Sequence, residues 1–160
     1  MMIRPARAED ADAIWSILEP TIRAGETYPL PRDMGERDAL AYWFTAGHAV
    51  FVAEDNGRIV GTYYLRANTT GAGAHVANCG YMTAADSFGK GVARAMCAHS
   101  LDQARRRGFR AMQFNLVIST NERAVRLWQA MGFAIVGRLP GAFAHPTHGY
   151  VDALVLFQTL

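Results

Sequence analysis

The stretch from Tyr81 to Ala93, Tyr-Met-Thr-Ala-Ala-Asp-Ser-Phe-Gly-Lys-Gly-Val-Ala, converts a strand into a long helix within a few residues. Behind it, Val76 to Thr83 reads as a strand. Ahead of it, Ala93, Met96, Cys97, Ser100, Leu101 and Ala104 recur at steps of three and one. That spacing predicts a helix from about residue 90 to Arg107, stopped at Gly108, with Arg105, Arg106 and Arg107 at the negative end of its dipole. Two glycines and one cation at a helix N-terminus expose backbone N–H groups to an anion, and the geometry suits phosphate. An ordinary strand–helix turn is the plainer alternative. The turn is neither a Walker A loop, which needs Gly-Lys-[Ser/Thr] after a longer spacing, nor the three-glycine dinucleotide fingerprint.

Lys90, in that turn, is the only lysine: the 16 basic residues are 15 Arg and one Lys, set against 14 carboxylates. A net charge of +2 argues against a bulk binder of nucleic acid or membrane. The excess is local. Residues 1–85 carry 7 Arg and 10 acids, a net −3, whereas residues 86–160 carry 9 basic and 4 acidic side chains, a net +5. An anionic ligand is therefore expected in the second half. With 160 residues, 51% of them apolar and 19% charged, the chain is expected to form one globular domain spanning 1–160.

The rest of the chain divides at clear signals. A short strand around Ile3 precedes a helix with Ile14, Ile17, Leu18 and Ile22 on one side and acids in its first turn, which Pro20 is expected to interrupt. The segment Gly25 to Pro31 then forms a shaped loop, and a second helix carries Leu40, Trp43 and Phe44 on its apolar side. Val50–Ala53 and Ile59–Leu65 flank Asp55-Asn56-Gly57-Arg58, a strong hairpin signal. Asn68 to Ala74 reads as a turn and Met112 to Ile118 as a strand. Ala124, Leu127, Trp128 and Met131 mark a helix ended by Gly132 and begun either by Ser119 with Glu122 as a capping box or by Asn121 itself. Strands 134–138 and 151–157 flank a loop from Leu139 to Gly149. The order β α α β β β α β α β β predicts a mixed sheet of six or seven strands with about four helices, an α/β (α+β) fold.

Cys79 and Cys97 lie in a strand and a helix, with no Cys-x-x-Cys and no histidine spaced for zinc, so two buried reduced thiols and no metal site are expected. No apolar run reaches the roughly 18 residues of a membrane span, and the start lacks a signal peptide's apolar stretch; the expected location is cytoplasmic.

A second constellation follows the first: Asn121-Glu122-Arg123-Ala124-Val125-Arg126-Leu127-Trp128-Gln129-Ala130-Met131-Gly132-Phe133. It resembles the second acyl-CoA motif of the GNAT superfamily of N-acetyltransferases, Asn…Ala…Leu-Tyr…Gly-Phe. The turn before the long helix resembles that family's first motif, Arg/Gln-x-x-Gly-x-Gly/Ala. Gly91 and Ala93 match the small positions and Phe88 the Arg/Gln position; Asn121, Ala124, Leu127, Gly132 and Phe133 match their counterparts. Element order and length extend the resemblance over nearly the whole chain.

The resemblance implies acetyl-CoA as co-substrate and a splayed pair of central strands, Val76–Thr83 and Met112–Ile118, between which the pantetheine arm lies. It implies pyrophosphate on the N–H groups of Gly89, Lys90, Gly91, Val92 and Ala93, with charge from Lys90 and Arg94. Asn121 would contact the arm or a water, or act only as a helix cap. The amine of an acceptor attacks the thioester directly, which needs a base, an oxyanion donor near Met82 or Thr83, and a way to release the thiolate. Where many relatives have an acidic Tyr this chain has Trp128, leaving Tyr81 or Tyr150 as replacements or an unaided thiolate. For the base, Glu26 in the first loop is the leading candidate. Asn78 stands where some relatives have Glu and is limited to orienting a water, and His75 is nearby. Phe88 removes a polar group near the phosphates.

The expected function is acetyl transfer to a primary amine on a small molecule, and the loop Gly-Glu-Thr-Tyr-Pro-Leu-Pro resembles the branch acting on amino acids and phosphinothricin-like compounds. Acetylation of a protein N-terminus or lysine, and an acyl-CoA-binding module without turnover, are the alternatives. Nucleic acid is not an expected partner, since no aromatic residues interleave with the Arg105–Arg107 run. A homodimer is the family habit.

Overall fold

The computed structural model of the protein describes residues 1–160, and its strands form a single seven-stranded sheet in the order β1-β2-β3-β4-β5-β7-β6. β1 (Met2–Pro5), β2 (Ala49–Asp55), β3 (Arg58–Ala67) and β4 (Val76–Thr83) are antiparallel neighbours. Asn56 and Gly57 form the two-residue turn between β2 and β3 with φ of 50° and 76°. Both are positive, as a hairpin turn whose twist matches the strands requires. The chain then crosses over through α3 (Val92–Arg106), the helical connection that a parallel pair needs, and β5 (Ala111–Ile118) pairs parallel with β4. After α4 (Glu122–Ala130), β6 (Ala134–His145) and β7 (Gly149–Thr159) return antiparallel, with β7 inserted beside β5.

Helices cover both faces. α1 (Ala11–Ala24) and α2 (Glu36–Trp43) bury Ile14, Ile17, Leu18, Ile22 and Trp43 against Val50, Val52, Tyr64, Met82 and Ala84. On the other face α3 and α4 bury Val92, Met96, Cys97, Leu101 and Trp128 against Phe51, Tyr63, Ala77, Cys79 and Phe114. The alternation along β4, with Ala77 and Cys79 to one side and Met82 to the other, is the period of two that a sheet covered on both faces requires. α3 lies close to β3 because residue 61 is glycine: a Cβ there would stand 2.8 to 2.9 Å from Val92 and Met96 side-chain atoms.

Four local expectations are corrected. α1 runs unbroken through Pro20, which lies on its exposed side, as does Ser16, whose carbonyl would have received the missing amide proton and is left to solvent. In α2 Trp43 and Leu40 do pack inward, together with Ala39, but Phe44 is the C-cap and 40% exposed. α3 starts at Val92 because Gly91 has φ of 79° and cannot be helical. The predicted loop from Leu139 to Gly149 is mostly strand. β6 continues to His145, absorbing Pro140 and Gly141 in a register shift between Leu139 and Phe143. Proline is tolerated there because β6 is the edge of the sheet. No helix is long and apolar enough to cross a membrane.

Candidate active site

β4 and β5 pair only at their starts, Val76 with Ala111 and Ala77 with Met112. Beyond that they diverge. A bulge between Phe114 and Val117, where Asn115 and Leu116 fall out of register with β7, bends β5 at this level. At the root of the opening the Asn78 side-chain amide donates to the Gln113 carbonyl at 2.9 Å, taking the place of a strand hydrogen bond. Asn78 in turn accepts from Arg66 Nε at 3.3 Å, its directly opposite partner on β3.

The divergence opens a continuous cleft of about 720 Å³. One end is the turn leading to α3, the middle is bounded by the facing edges of β4 and β5, and the other end is a pocket walled by Thr27, Tyr28, Tyr42, Tyr64 and Arg66. Gly80 lets the Tyr64 ring lie across β4, since a Cβ there would sit 2.6 Å from it. Tyr42 and Tyr64 share a hydroxyl hydrogen bond of 3.2 Å, and Tyr28 donates to the Tyr81 carbonyl at 2.9 Å. Burial pushes the Tyr28 and Tyr64 hydroxyls well above the usual phenol range, so both stay neutral.

At the turn, Gly89 and Gly91 have φ of 78° and 79°, and their amides make no hydrogen bond within the protein. Val92, Ala93 and Arg94 are the first residues of α3, whose N–H groups have no acceptor in a preceding turn. Phe88, Gly89, Gly91, Val92, Ala93 and Arg94 all line the cleft; Lys90 is exposed on the same turn but is not part of the lining. Met82 and Thr83 line its middle. Across from them Asn121 is the N-cap of α4: its side-chain oxygen accepts from the Ala124 amide at 3.4 Å, which decides between Asn121 and Ser119. Its side-chain nitrogen has no protein partner.

The proton-transfer candidates are dispersed. Glu26 and His75 are exposed and line no part of the cleft, and Tyr150 is 83% exposed on β7. Tyr81 does line it, but its hydroxyl lies 2.7 Å from Ser100 Oγ. Because Ser100 gives its one proton to the Cys97 carbonyl at 2.8 Å, Tyr81 must be the donor. Burial also holds that hydroxyl well above the usual phenol range. Trp128 is buried with its ring 5.1 Å from Tyr81 and 5.2 Å from Phe114. No carboxylate and no histidine lines the cleft; its charged residues are Arg66, Arg94 and Arg123. Arg66, Arg123 and the tyrosine wall escaped the sequence reading. The position of Arg123 two residues past Asn121 was the available signal, whereas Arg66 is set beside Asn78 only by strand register.

Residues 12–133 match the model of the acetyltransferase (GNAT) family. The chain belongs to this family. As a GNAT enzyme it is an acetyl-CoA-dependent N-acetyltransferase. It is similar to a GCN5-related N-acetyltransferase of Kribbella flavida, at 41% identity with a TM-score of 0.95, over 99% of this chain and 97% of that one. It is 28% identical over 151 residues to N-acetyltransferase aca1 of Schizosaccharomyces pombe, covering 84% of this chain and 72% of that protein. A phosphinothricin acetyltransferase of Sinorhizobium meliloti, solved with acetyl-CoA, shares the fold with a TM-score of 0.86 at 20% identity, over 99% of this chain and 88% of that one. The split strands, glycine turn and Asn121-capped helix thus belong to a GNAT fold.

Proposed function

We propose that this GNAT enzyme acetylates a primary amine on a small molecule by direct attack with both substrates bound. The observation that carries the reading is the continuity of the cleft from the Gly89–Ala93 turn, between β4 and β5, to the tyrosine-walled pocket. The coenzyme's pyrophosphate would take the free amides at Gly89, Gly91, Val92 and Ala93, with Arg94 and Lys90 adding charge. The pantetheine arm would lie along the unpaired edges of β4 and β5, with Asn121 and Trp128 on its α4 side. The thioester carbonyl then lies near the backbone of Met82 and Thr83. Because the Ala84 N–H donates to the Val60 carbonyl and the pairing alternates along β4, the Met82 N–H is turned to β3 and the Thr83 N–H is the candidate oxyanion donor.

The amine nitrogen adds to the carbonyl carbon, the C–S bond breaks, coenzyme A leaves as thiolate and the nitrogen's proton passes to solvent. With the Tyr81 hydroxyl committed to Ser100, the thiolate leaves unaided, which a thiol pKa of about 8.5 tolerates. With no carboxylate or histidine lining the cleft, the amine enters already neutral, and Glu26, outside the lining, is not its base. A cleft whose charged groups are all arginine disfavours polyamines and lysine-rich peptides, and supports a compact acceptor over a protein tail. Two buried, unpaired cysteines accord with a cytoplasmic location.

Saturating acetyl-CoA is expected to raise the melting temperature, and free thiol is expected to appear with amino acids or related small amines. Binding without thiol release across amino acids, amino sugars, polyamines and peptides would instead establish an acyl-CoA-binding module. Release only with peptides would establish a protein acetyltransferase.

A further inference from the structure

Arg123 lies in the first turn of α4, where a cation meets the positive end of the helix dipole and is disfavoured. Nothing local compensates it. The neighbouring Glu122 pairs with Arg126 at 3.9 Å, and Arg123 makes no ion pair. Its guanidinium reaches across the mouth of the cleft onto the Gly89 turn: a Cβ built on Gly89 would stand 2.9 Å from Arg123 Nη2. The guanidinium thus stands beside a turn whose Gly89 and Gly91 amides also lack a protein acceptor, which gathers unpaired donors at one end of the cleft. That arrangement is unfavourable alone and becomes favourable when an anion sits between them.

We infer that Arg123 is a clamp for the coenzyme's diphosphate, closing the cleft from α4 over the amides of the Gly89–Ala93 turn. The inference rests on the reading of that turn as the pyrophosphate seat. A guanidinium presents paired N–H donors to phosphate oxygens, so Arg123 supplies from α4 the polar side chain that Phe88 does not supply from the turn itself. It also gives residue 89 a second reason to be glycine besides its positive φ: any side chain would push the guanidinium away.

The test is calorimetric binding of acetyl-CoA, 3′-dephospho-acetyl-CoA and acetyl-pantetheine to the full chain, alongside melting temperatures. Arg123→Ala is expected to weaken both phosphate-bearing donors by roughly ten- to a hundredfold, Arg123→Lys by less, and acetyl-pantetheine by less than twofold. Arg126→Ala removes the same charge from an outward, ion-paired position and is expected to change each affinity by less than threefold. Equal weakening of all three donors by Arg123→Ala, or equal losses from Arg126→Ala and Arg123→Ala, would overturn the clamp. So would a loss that disappears with 3′-dephospho-acetyl-CoA, since the contact would then be to the 3′-phosphate. Failure of the unaltered protein to prefer acetyl-CoA over acetyl-pantetheine would instead remove the pyrophosphate seat itself.

Discussion

The hydroxyl of Tyr28 donates to the backbone carbonyl of Tyr81 at 2.9 Å, tying the loop between α1 and α2 to the strand that forms one wall of the cleft. Tyr28→Phe leaves that carbonyl without its side-chain donor and is expected to cost about 1 to 2 kcal/mol in denaturant unfolding. Because the same loop walls the acceptor pocket, KM for the amine is expected to rise more than KM for acetyl-CoA. A larger effect on acetyl-CoA would mean the loop serves the coenzyme end instead.

Neither Tyr81 nor Trp128 is expected to act as the acid. Tyr81→Phe removes a proton already committed to Ser100, so kcat should stay within a few-fold while stability falls by about 1 kcal/mol. Trp128→Phe keeps an aromatic ring against Tyr81 and Phe114, and turnover is expected to change by less than tenfold. A collapse of kcat in either variant with acetyl-CoA affinity intact would assign that residue to thiolate departure.

The pH profile follows from the lining of the cleft. With no carboxylate or histidine there, kcat/KM for the amine should rise with pH along the acceptor's own ammonium ionisation. Two acceptors of different basicity should therefore give two different midpoints. One midpoint shared by both amines would reveal an enzymic base.

Stability at acid pH should be governed in part by Asp10. It accepts from both terminal nitrogens of Arg4, at 2.8 and 3.0 Å, and from the Arg7 amide at 2.7 Å. The Arg4 hydrogen bond, outweighing the opposing effect of burial, holds its carboxyl below the ordinary 3.8. A carboxyl whose folded pKa is depressed stabilises the fold above its unfolded pKa and loses that contribution as pH falls through the folded value. Asp10→Asn is thus expected to cost about 1 to 3 kcal/mol at pH 7, and the gap from the unaltered protein should shrink below pH 4. An equal gap at pH 3 and pH 7 would show that packing, not charge, is the source.

Much of the fold was legible because its signals are local. The Asn56-Gly57 turn, the helical spacing from Ala93 to Ala104, and the cap at Asn121 each depend on residues a few positions apart. Where locality misled, the environment decided. Pro20 is tolerated in α1 because the carbonyl it leaves unpaired faces solvent, and the Leu139–Gly149 segment pairs as strand because an edge accepts a bulge at Pro140.

The site divides along the same line. By itself the sequence determined the order of elements, the glycine turn that bares its amides, and the two motifs that mark the GNAT family. All of these are set by backbone preferences and spacings within one element. Only the tertiary structure decided that β4 and β5 part after Ala77 and Met112, that Asn78 bridges the opening to Gln113, and that Arg123 crosses it to Gly89. It also decided that Glu26 and His75 stay outside the cleft and that the Tyr81 hydroxyl turns toward Ser100. Those outcomes depend on strand register and on how far two packed elements separate, quantities set by contacts between residues distant in the chain and carried by no single segment of it.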